Sequence, residues 1–230
     1  MPYGAPPPDY DGTPHRYLLG RGSCLWRVHD RRYCARSFKA VRSDQLFGGA
    51  RFDATDADNF PFYYAAIDQA TALAETLFRD LGHDDRGMRV LTGAALTGRQ
   101  ISGLTLTRDL ELVSLISGED LAAIAQDAWL VTASGPEYAL TRGWGHWLRG
   151  QAKWAHGFIW DSLRDRGGPA MVLFGDRLAA TFGKDYERLL LHEVPELAVS
   201  LDDADGADWL NRLLERYRVA VTPPPPGRPR

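Results

Sequence analysis

The sequence predicts an α+β fold in which short strands form an antiparallel or mixed β-sheet and a few helices flank it. Short runs rich in aromatic and aliphatic residues are numerous, whereas segments with a helical period are few. These segments lack the regular strand–helix alternation of a doubly wound protein. A length of 230 residues, with 44% hydrophobic and 25% charged residues, fits one sizeable globular domain.

The composition argues against several classes of protein. The net charge is only −3 and the Lys and Arg residues are dispersed, so no direct nucleic-acid partner is expected. No apolar run approaches ~20 residues, and the N-terminus lacks the basic region and apolar core of a secretory signal, so no membrane is expected either. Cys24 and Cys34 cannot form a disulfide framework, and with the six His they show no zinc spacing. A cytoplasmic protein is therefore predicted.

Two proline-rich ends bracket the predicted domain. Residues 1–15 are expected to be disordered or loosely draped over the surface, and residues 222–230 are expected to form a polyproline tail. The domain itself is predicted over residues 16–221.

The first predicted strand, residues 23–29 (SCLWRVH), contains Arg27 near its end. An arginine in such a run either pairs with a carboxylate or binds an anion such as phosphate, whose geometry its planar guanidinium matches. The basic segment 30–45 follows and is predicted to be a long loop. Long loops in compact domains are often functional.

A glycine turn and a strand come next. The turn (GGA) delivers Arg51, and the almost wholly apolar run 60–66 (FPFYYAA) is predicted to be a buried strand that contains Tyr64. A run of this kind is typical of a strand that is buried on both faces.

A helix is predicted to begin at Asp68, whose side chain can cap it. Its core-facing stripe consists of Leu73, Leu77 and Leu81. Glu75 points away from the centre of that stripe. Strand, turn and helix would therefore hold Arg51, Tyr64 and Glu75 around one pocket wall. The alternative is an ordinary strand–helix unit whose glutamate is only solvated.

The remaining elements follow from apolar runs, helical periods and turn signals. They are a turn at 82–87, strands at 88–95 and within 100–115, a helix that starts near Ser117 and runs through 126, an extended piece at 129–131, a helix at 141–156, strands at 157–162 and 170–174, an apolar run at 187–194, a helix at 207–216 and an edge strand at 217–221.

Common catalytic motifs are absent from the sequence. It contains no GxxxxGKS/T loop, no GxSxG elbow, no HExxH helix and no GxGxxG turn after a strand. A triad of Ser162, His146 and Asp161 could be assembled, but nothing local in the sequence supports it.

The polar residues that stand in apolar company are Arg27, Arg51, Tyr64, Glu75 and Ser162. Two arginines can hold a diphosphate, a tyrosine can stack on a flat ring, and a carboxylate can stabilise positive charge that develops at a sugar carbon. This combination fits cleavage of the N-glycosidic bond of a dinucleotide.

Several segments, taken in order, resemble the RES-domain family, the toxin half of many bacterial toxin–antitoxin pairs. The first is Leu25-Trp26-Arg27-Val28, which is like the family's opening strand of a hydrophobic residue, an aromatic residue and Arg. The second is residues 48–53, which are like its GGRWN turn but have Ala50 inserted and Phe52-Asp53 in place of Trp-Asn. The third is Tyr64 with the later Glu75, like its strand and helix, and the fourth is residues 157–164 with 172–174, like its G-I-x-Y-x-S-R and LF strand pair. The matches span residues 24–177.

The resemblance implies a fold similar to that of ADP-ribosyltransferase toxins, a split mixed β-sheet around a cleft for a nicotinamide dinucleotide. It implies NAD as the substrate and no metal. The reaction would be cleavage of the nicotinamide–ribose bond of NAD, by phosphorolysis or by hydrolysis.

The resemblance also implies a role for each matching residue. Arg27 and Arg51 would bind the phosphates, and Tyr64 would bind the nicotinamide. Phe52 would belong to the substrate site, next to Arg51. In catalysis, Glu75 would stabilise the oxocarbenium-like sugar, and Ser162 would orient the ribose or the nucleophile.

The expected partners are NAD, inorganic phosphate in the case of phosphorolysis, and a helix-turn-helix antitoxin protein on a separate chain. Two other interpretations stay open. One is a mono-ADP-ribosyltransferase that modifies a protein target, and the other is a catalytically silent module that binds NAD or a partner. The sequence also leaves the oligomeric state open, with a homo-oligomer as one outcome.

Overall fold

The structure, a computed structural model, describes residues 4–45, 48–78 and 81–222. Its strands are β1 (Arg16–Leu19), β2 (Cys24–Asp30), β3 (Phe62–Ala66), β4 (Arg89–Leu91), β5 (Arg99–Leu106), β6 (Leu110–Leu115), β7 (Gly157–Asp161), β8 (Pro169–Phe174), β9 (Leu191–Glu193), β10 (Val199–Ser200) and β11 (Val219–Val221). Its α-helices are α1 (Gln69–Leu77), α2 (Gly93–Leu96), α3 (Gly118–Ala123), α4 (Trp129–Thr132), α5 (Tyr138–Gln151), α6 (Gly175–Phe182), α7 (Tyr186–Leu190) and α8 (Ala204–Leu214).

Nine of the strands form one mixed sheet, in the order β1-β6-β7-β8-β3-β2-β5-β10, with β9 also paired to β5. The pair β6–β7 is parallel and the other pairs of this sheet are antiparallel. Strands β4 and β11 form a separate parallel pair. Helices flank the large sheet, so the predicted α+β class with a mixed sheet is confirmed.

The sheet is split between β2 and β3. Strand β2 pairs with β5 along its whole length, whereas its register with β3 consists of the single pair Trp26 and Ala66. The two strands therefore diverge beyond that pair and open a cleft between the halves of the sheet. This split agrees with the expected split mixed β-sheet.

The apolar character of β3 follows from burial on both faces. Phe62 and Tyr64 pack against the cluster beneath α5, whereas Tyr63 and Ala65 pack against the cluster beneath α6 and α7. Because successive side chains of a strand point to opposite faces, a strand covered on both sides needs apolar residues at every position. A third apolar cluster joins α1 and α8 to β2 and β5.

Most predicted elements are confirmed, with shifted ends. The predicted cap of α1 is present, since the Asp68 carboxylate accepts a hydrogen bond from the Thr71 N–H at 2.9 Å. The predicted helix start near Ser117 is also present, since α3 begins with a capping box between Ser117 and Asp120. Residues 217–221 do contain a strand, but β11 pairs with β4 outside the large sheet.

Two predictions of extended structure are wrong. Residues 129–131 belong to helix α4, because the Asp127 carboxylate accepts from the Trp129 N–H at 2.8 Å and starts a helical turn. The strand predicted over residues 88–95 is confined to β4, and α2 begins at Gly93.

Residues 4–15 have no regular secondary structure and lie on the surface. The Trp144 indole N–H donates to the Gly4 carbonyl at 2.9 Å, and the Tyr10 hydroxyl donates to the Ala123 carbonyl at 2.8 Å. The Tyr10 ring also packs edge-on against Trp147. Residues 4–15 thus contact α3 and α5 through these three interactions. The predicted polyproline tail beyond Thr222, like residues 1–3, lies outside the described residues.

Within the described residues, no helix is both long enough and apolar enough to cross a bilayer.

Arg149 of α5 is a buried cation that joins three elements. Its Nε donates to Asp58 at 2.8 Å and its Nη2 donates to Asp176 at 2.8 Å. Its guanidinium carbon also lies 3.6 Å from the ring centre of Phe60. Since its side chain is only 4% exposed, its positive charge is stabilised by these partners rather than by water.

We expect Arg149→Ala to lower the free energy of unfolding by ~3 kcal/mol, because it removes the guanidinium that binds both Asp58 and Asp176 and opens a gap against Phe60. Urea denaturation measures the change. Arg42→Ala is the control, since Arg42 and its partner Asp56 are both largely exposed and such pairs contribute less than about 1 kcal/mol. Equal losses in the two variants would contradict the structural role of Arg149.

Candidate active site

A cavity of about 740 Å³ lies where β2 and β3 diverge. Its walls come from β2, β3, α1, the loop between β2 and β3, and single or paired residues of β5, β7 and β8. Four of the predicted site residues line it: Arg27, Arg51, Tyr64 and Glu75. A shallower depression beside α8 and β11 contains none of them. The split in the sheet therefore brings together residues that are far apart in the sequence.

Arg27 lies on β2 and is 8% exposed. Its Nη1 donates to the carbonyls of Ala35 and Ser37, at 3.0 and 2.6 Å, and its guanidinium stacks on the Tyr63 ring at 4.3 Å. These contacts hold the loop after β2 against the cleft. A guanidinium has five N–H donors, so the ones beyond Nη1 can serve an anion in the cavity.

Arg51 follows the predicted glycine turn, in which Gly48 and Gly49 have φ angles of +90° and +72°. Such angles are in the region that glycine adopts without a steric penalty. Arg51 is 6% exposed, and its Nη2 donates to the Ala133 carbonyl at 3.3 Å. Its guanidinium lies 5.9 Å from the ring centre of Trp160, which also lines the cavity.

Tyr64 lines the cavity, whereas Phe52, which was also expected in the substrate site, does not. The Phe52 N–H donates to the Tyr64 hydroxyl at 3.1 Å. Burial, with the Asp53 carboxylate nearby, raises the pKa of Tyr64 well above its ordinary value, so the phenol stays protonated.

The Phe52 side chain turns into the core, where it is 2% exposed and packs edge-on against Phe158 and Trp160. The expectation that Phe52 belongs to the substrate site is therefore not what the geometry supports. Gly145 of α5 packs closely against this ring, since a Cβ there would lie 3.1 Å from the Phe52 Cδ1 atom. Phe52 supports the site through its backbone N–H.

Glu75 lines the cavity and is held by Ser162. The Ser162 hydroxyl lies 2.6 Å from Glu75 Oε1 and also accepts hydrogen bonds from the N–H groups of Arg164 and Asp165, each at 3.1 Å. A hydroxyl has one proton and two acceptor positions. Since both acceptor positions are used by N–H groups, the proton must point to Glu75.

This arrangement changes the expected role of Ser162. The residue is fully buried and does not line the cavity, so it is not in position to orient a ribose or a nucleophile directly. Instead it donates to the carboxylate that does line the cavity. Glu75 is thus an oriented carboxylate in the cleft, which is the opposite of the freely solvated helix glutamate considered above.

Three residues that sequence reasoning did not single out also line the cavity: His29, Lys39 and Arg99. His29 stands two residues after Arg27 and therefore shares a face of β2 with it. That spacing is the signal in the sequence that could have indicated His29 as a site residue. Its Nδ1 lies 3.0 Å from the Asp30 carbonyl, which can only accept, and its Nε2 lies 3.0 Å from the Ser102 hydroxyl. Burial lowers the pKa of His29, so its ring is neutral at pH 7.

The cavity carries an excess of positive charge. Its cations are Arg27, Lys39, Arg51 and Arg99, and its carboxylates are Glu75 and Asp30. Asp30 is already bonded to Arg32 through both of its oxygens. Such a cavity favours a ligand with more than one negative charge. Among the described residues, no group of three or more His, Cys, Asp and Glu has the arrangement of a metal site.

Comparisons with known proteins bear on the family and the overall fold. A family model described as RES domain matches residues 24–202. The chain is also similar in fold to a chain in the crystal structure of the MbcT–MbcA toxin–antitoxin complex of M. tuberculosis, with a TM-score of 0.54 and 15% sequence identity over 87% of this chain and 91% of that one. No curated protein matches the sequence significantly.

We expect the cavity to bind inorganic pyrophosphate, and Arg51→Ala to weaken that binding at least about tenfold, because each bond to a charged group contributes about 1.5–3 kcal/mol. Arg51→Lys should recover little, since an ammonium lacks the planar fork of a guanidinium. Titration calorimetry measures both. Arg16→Ala removes the same charge on β1, away from the cavity, and should leave the affinity unchanged. An Arg51→Ala protein with wild-type affinity would refute the anion-binding role.

Proposed function

The chain belongs to the RES-domain family, and from that membership we propose that it is an NAD-consuming toxin of a toxin–antitoxin pair. The proposed reaction is cleavage of the bond between nicotinamide and ribose. The observation that supports it most is the Glu75 carboxylate, oriented by Ser162 at 2.6 Å within a cavity whose other charges are mainly positive.

The proposed chemistry follows from where charge develops. As the C1′–N bond breaks, its electron pair goes to the nicotinamide nitrogen, which becomes neutral, and the ribose acquires oxocarbenium character. A fixed carboxylate next to C1′ stabilises that positive charge, which is larger in the transition state than in bound NAD. Water or phosphate then attacks C1′ and loses a proton, giving ADP-ribose or its phosphorylated form.

The other cavity residues suit the rest of the NAD molecule. Arg27 and Arg51 offer planar donors to the diphosphate, and Lys39 adds charge nearby. Loss of water around the Lys39 ammonium, with the Arg27 charge as a second cause, lowers the pKa of Lys39. A bound anion would relieve that repulsion. The protonated phenol of Tyr64 and the neutral ring of His29 both line the cavity and offer aromatic surface to the nicotinamide.

A protein partner is part of the proposal. The similar fold was solved in a complex of a toxin with its antitoxin, and we propose that an antitoxin, of helix-turn-helix type, also binds this chain. Tyr33 and Val41, at the edge of the cavity, are 64% and 54% exposed and offer apolar contact area there.

The experiment is incubation of the purified protein with NAD, with and without inorganic phosphate, followed by identification of the products. Release of nicotinamide supports the proposal. The second product identifies the acceptor: ADP-ribose indicates hydrolysis, its phosphorylated form indicates phosphorolysis, and label attached to protein indicates ADP-ribosyl transfer. Intact NAD after prolonged incubation would contradict the proposed reaction.

We expect Glu75→Gln to lower kcat by about 10²–10³ and to change KM little, because the lost charge matters most in the transition state. The variant should still bind NAD and should no longer arrest growth when expressed. Glu111→Gln, which neutralises a surface glutamate on β6, is the matched control. Turnover of the Glu75→Gln protein within about threefold of wild type would mean that Glu75 is only a solvated residue on the helix, with no catalytic role.

We expect Ser162→Ala to lower kcat about tenfold or more while KM stays within about twofold, since it removes the donor that orients Glu75. Ser114→Ala is the matched control, because Ser114 is also buried and also donates to a carboxylate, that of Asp120 at 2.6 Å, but away from the cavity. A loss of melting temperature in the Ser162→Ala protein, with full activity per folded molecule, would make Ser162 purely structural.

A further inference from the structure

Asp165 anchors the loop between β7 and β8 from two sides. The Thr71 hydroxyl of α1 has one proton and lies 2.6 Å from Asp165 Oδ2 and 2.9 Å from Asp68 Oδ2, so the shorter distance assigns the bond to Asp165. Asp165 Oδ1 accepts from the Tyr217 hydroxyl at 2.7 Å. Burial, with Asp165 as the next cause, raises the pKa of Tyr217 to about 12, so the phenol is protonated and is the donor. Both carboxylate oxygens of Asp165 therefore accept a bond from an element outside the loop.

The same loop supplies the groups that orient Ser162. The backbone N–H groups of Arg164 and Asp165 occupy the acceptor positions of the Ser162 hydroxyl, whose proton then points to Glu75. Thr71 and Glu75 are four residues apart on α1 and so share one helix face. The loop thus holds this face at two points, through Asp165 at Thr71 and through Ser162 at Glu75.

The fit between the loop and α1 is close. At Gly168, a Cβ atom would lie 2.0 Å from the Thr71 hydroxyl, so the backbone of the loop approaches the helix as nearly as glycine allows. A shift of the loop would therefore move the two N–H groups relative to Glu75. Displacement of a catalytic group by about 1 Å can cost up to about a hundredfold in rate.

Tyr217 brings the C-terminal part of the chain into this arrangement. It follows α8 and lies beyond residues 24–202, the part that the RES-domain model matches. Neither Tyr217 nor Asp165 lines the cavity. Both residues can act on a reaction in the cleft only through the residues that they hold.

We propose that Asp165 is a positioning residue for Glu75, and that Tyr217, through Asp165, makes the C-terminal segment a support of the active site. The proposal rests on the proposed function, since it concerns how Glu75 is held for NAD cleavage. The path runs from Tyr217 to Asp165, from the N–H groups of the loop to Ser162, and from Ser162 to Glu75. Of the residues on this path, only Glu75 lines the cavity.

The test is a double-mutant cycle on the purified full chain, with kcat, KM for NAD and melting temperature measured for each protein. In the wild-type background, Asp165→Ala should lower kcat about tenfold and Tyr217→Phe about threefold, with KM within about twofold. Tyr10→Phe is the matched control for Tyr217→Phe, because it removes a tyrosine hydroxyl that also bonds across the surface, to the Ala123 carbonyl. It should leave kcat unchanged.

The decisive comparison repeats Asp165→Ala and Tyr217→Phe in the Ser162→Ala background. If the support acts through Ser162, each change should then alter kcat by less than about twofold, since the bond that it protects is already gone. An equal loss of kcat in both backgrounds, or no loss in the wild-type background, would overturn the proposal. If Asp165→Ala does not fold, Tyr217→Phe completes the cycle alone.

The wild-type protein separates this inference from the proposed function. Wild-type protein that leaves NAD intact would refute the proposed function and this inference with it. Wild-type turnover of NAD together with unchanged variants would refute only the support by Asp165 and Tyr217.

Discussion

The hydrogen bond from Ser162 to Glu75 is the interaction on which the rest of the site depends. It joins the end of β7 to helix α1 across 87 residues of sequence, at 2.6 Å. For the bond to form, β7 and β8 must bring Ser162 against α1, and the loop that follows must present its N–H groups to the hydroxyl. The carboxylate that results faces a cavity and has one orientation, which is a requirement for stabilising charge without reorganisation during the reaction.

The split in the sheet is the second condition for the site. An uninterrupted sheet would pair β2 and β3 along their length and would leave no cavity between Arg27 and Tyr64. The divergence beyond the pair Trp26 and Ala66 leaves that space, and the basic loop after β2 covers one side of it. The fold thus places cations on one strand and loop, and the carboxylate on the helix after the neighbouring strand. Because the positive and negative groups are separated, they determine the orientation in which a polar ligand binds in the cleft.

Local signals were enough to predict the parts of the site that a short segment determines. The glycine turn before Arg51, the apolar strand with Tyr64 and the Asp68 cap before Glu75 all follow from neighbouring residues, and the structure contains each of them. Long-range contacts decided the rest. Phe52 turns inward to pack against Phe158 and Trp160, which are far away in the sequence. The Ser162 proton is directed by a loop that bonds to α1 and Tyr217. Helix α4 was mistaken for an extended piece because a short apolar run has no periodicity of its own.

The most direct measurement of the central claim is a crystal structure of the Glu75→Gln protein with intact NAD bound. We expect C1′ of the nicotinamide ribose to lie within about 4 Å of the side chain at position 75, with the diphosphate against the guanidinium groups of Arg27 and Arg51. NAD bound in the reverse direction, with C1′ more than about 8 Å from that side chain, would contradict the role of the oriented carboxylate.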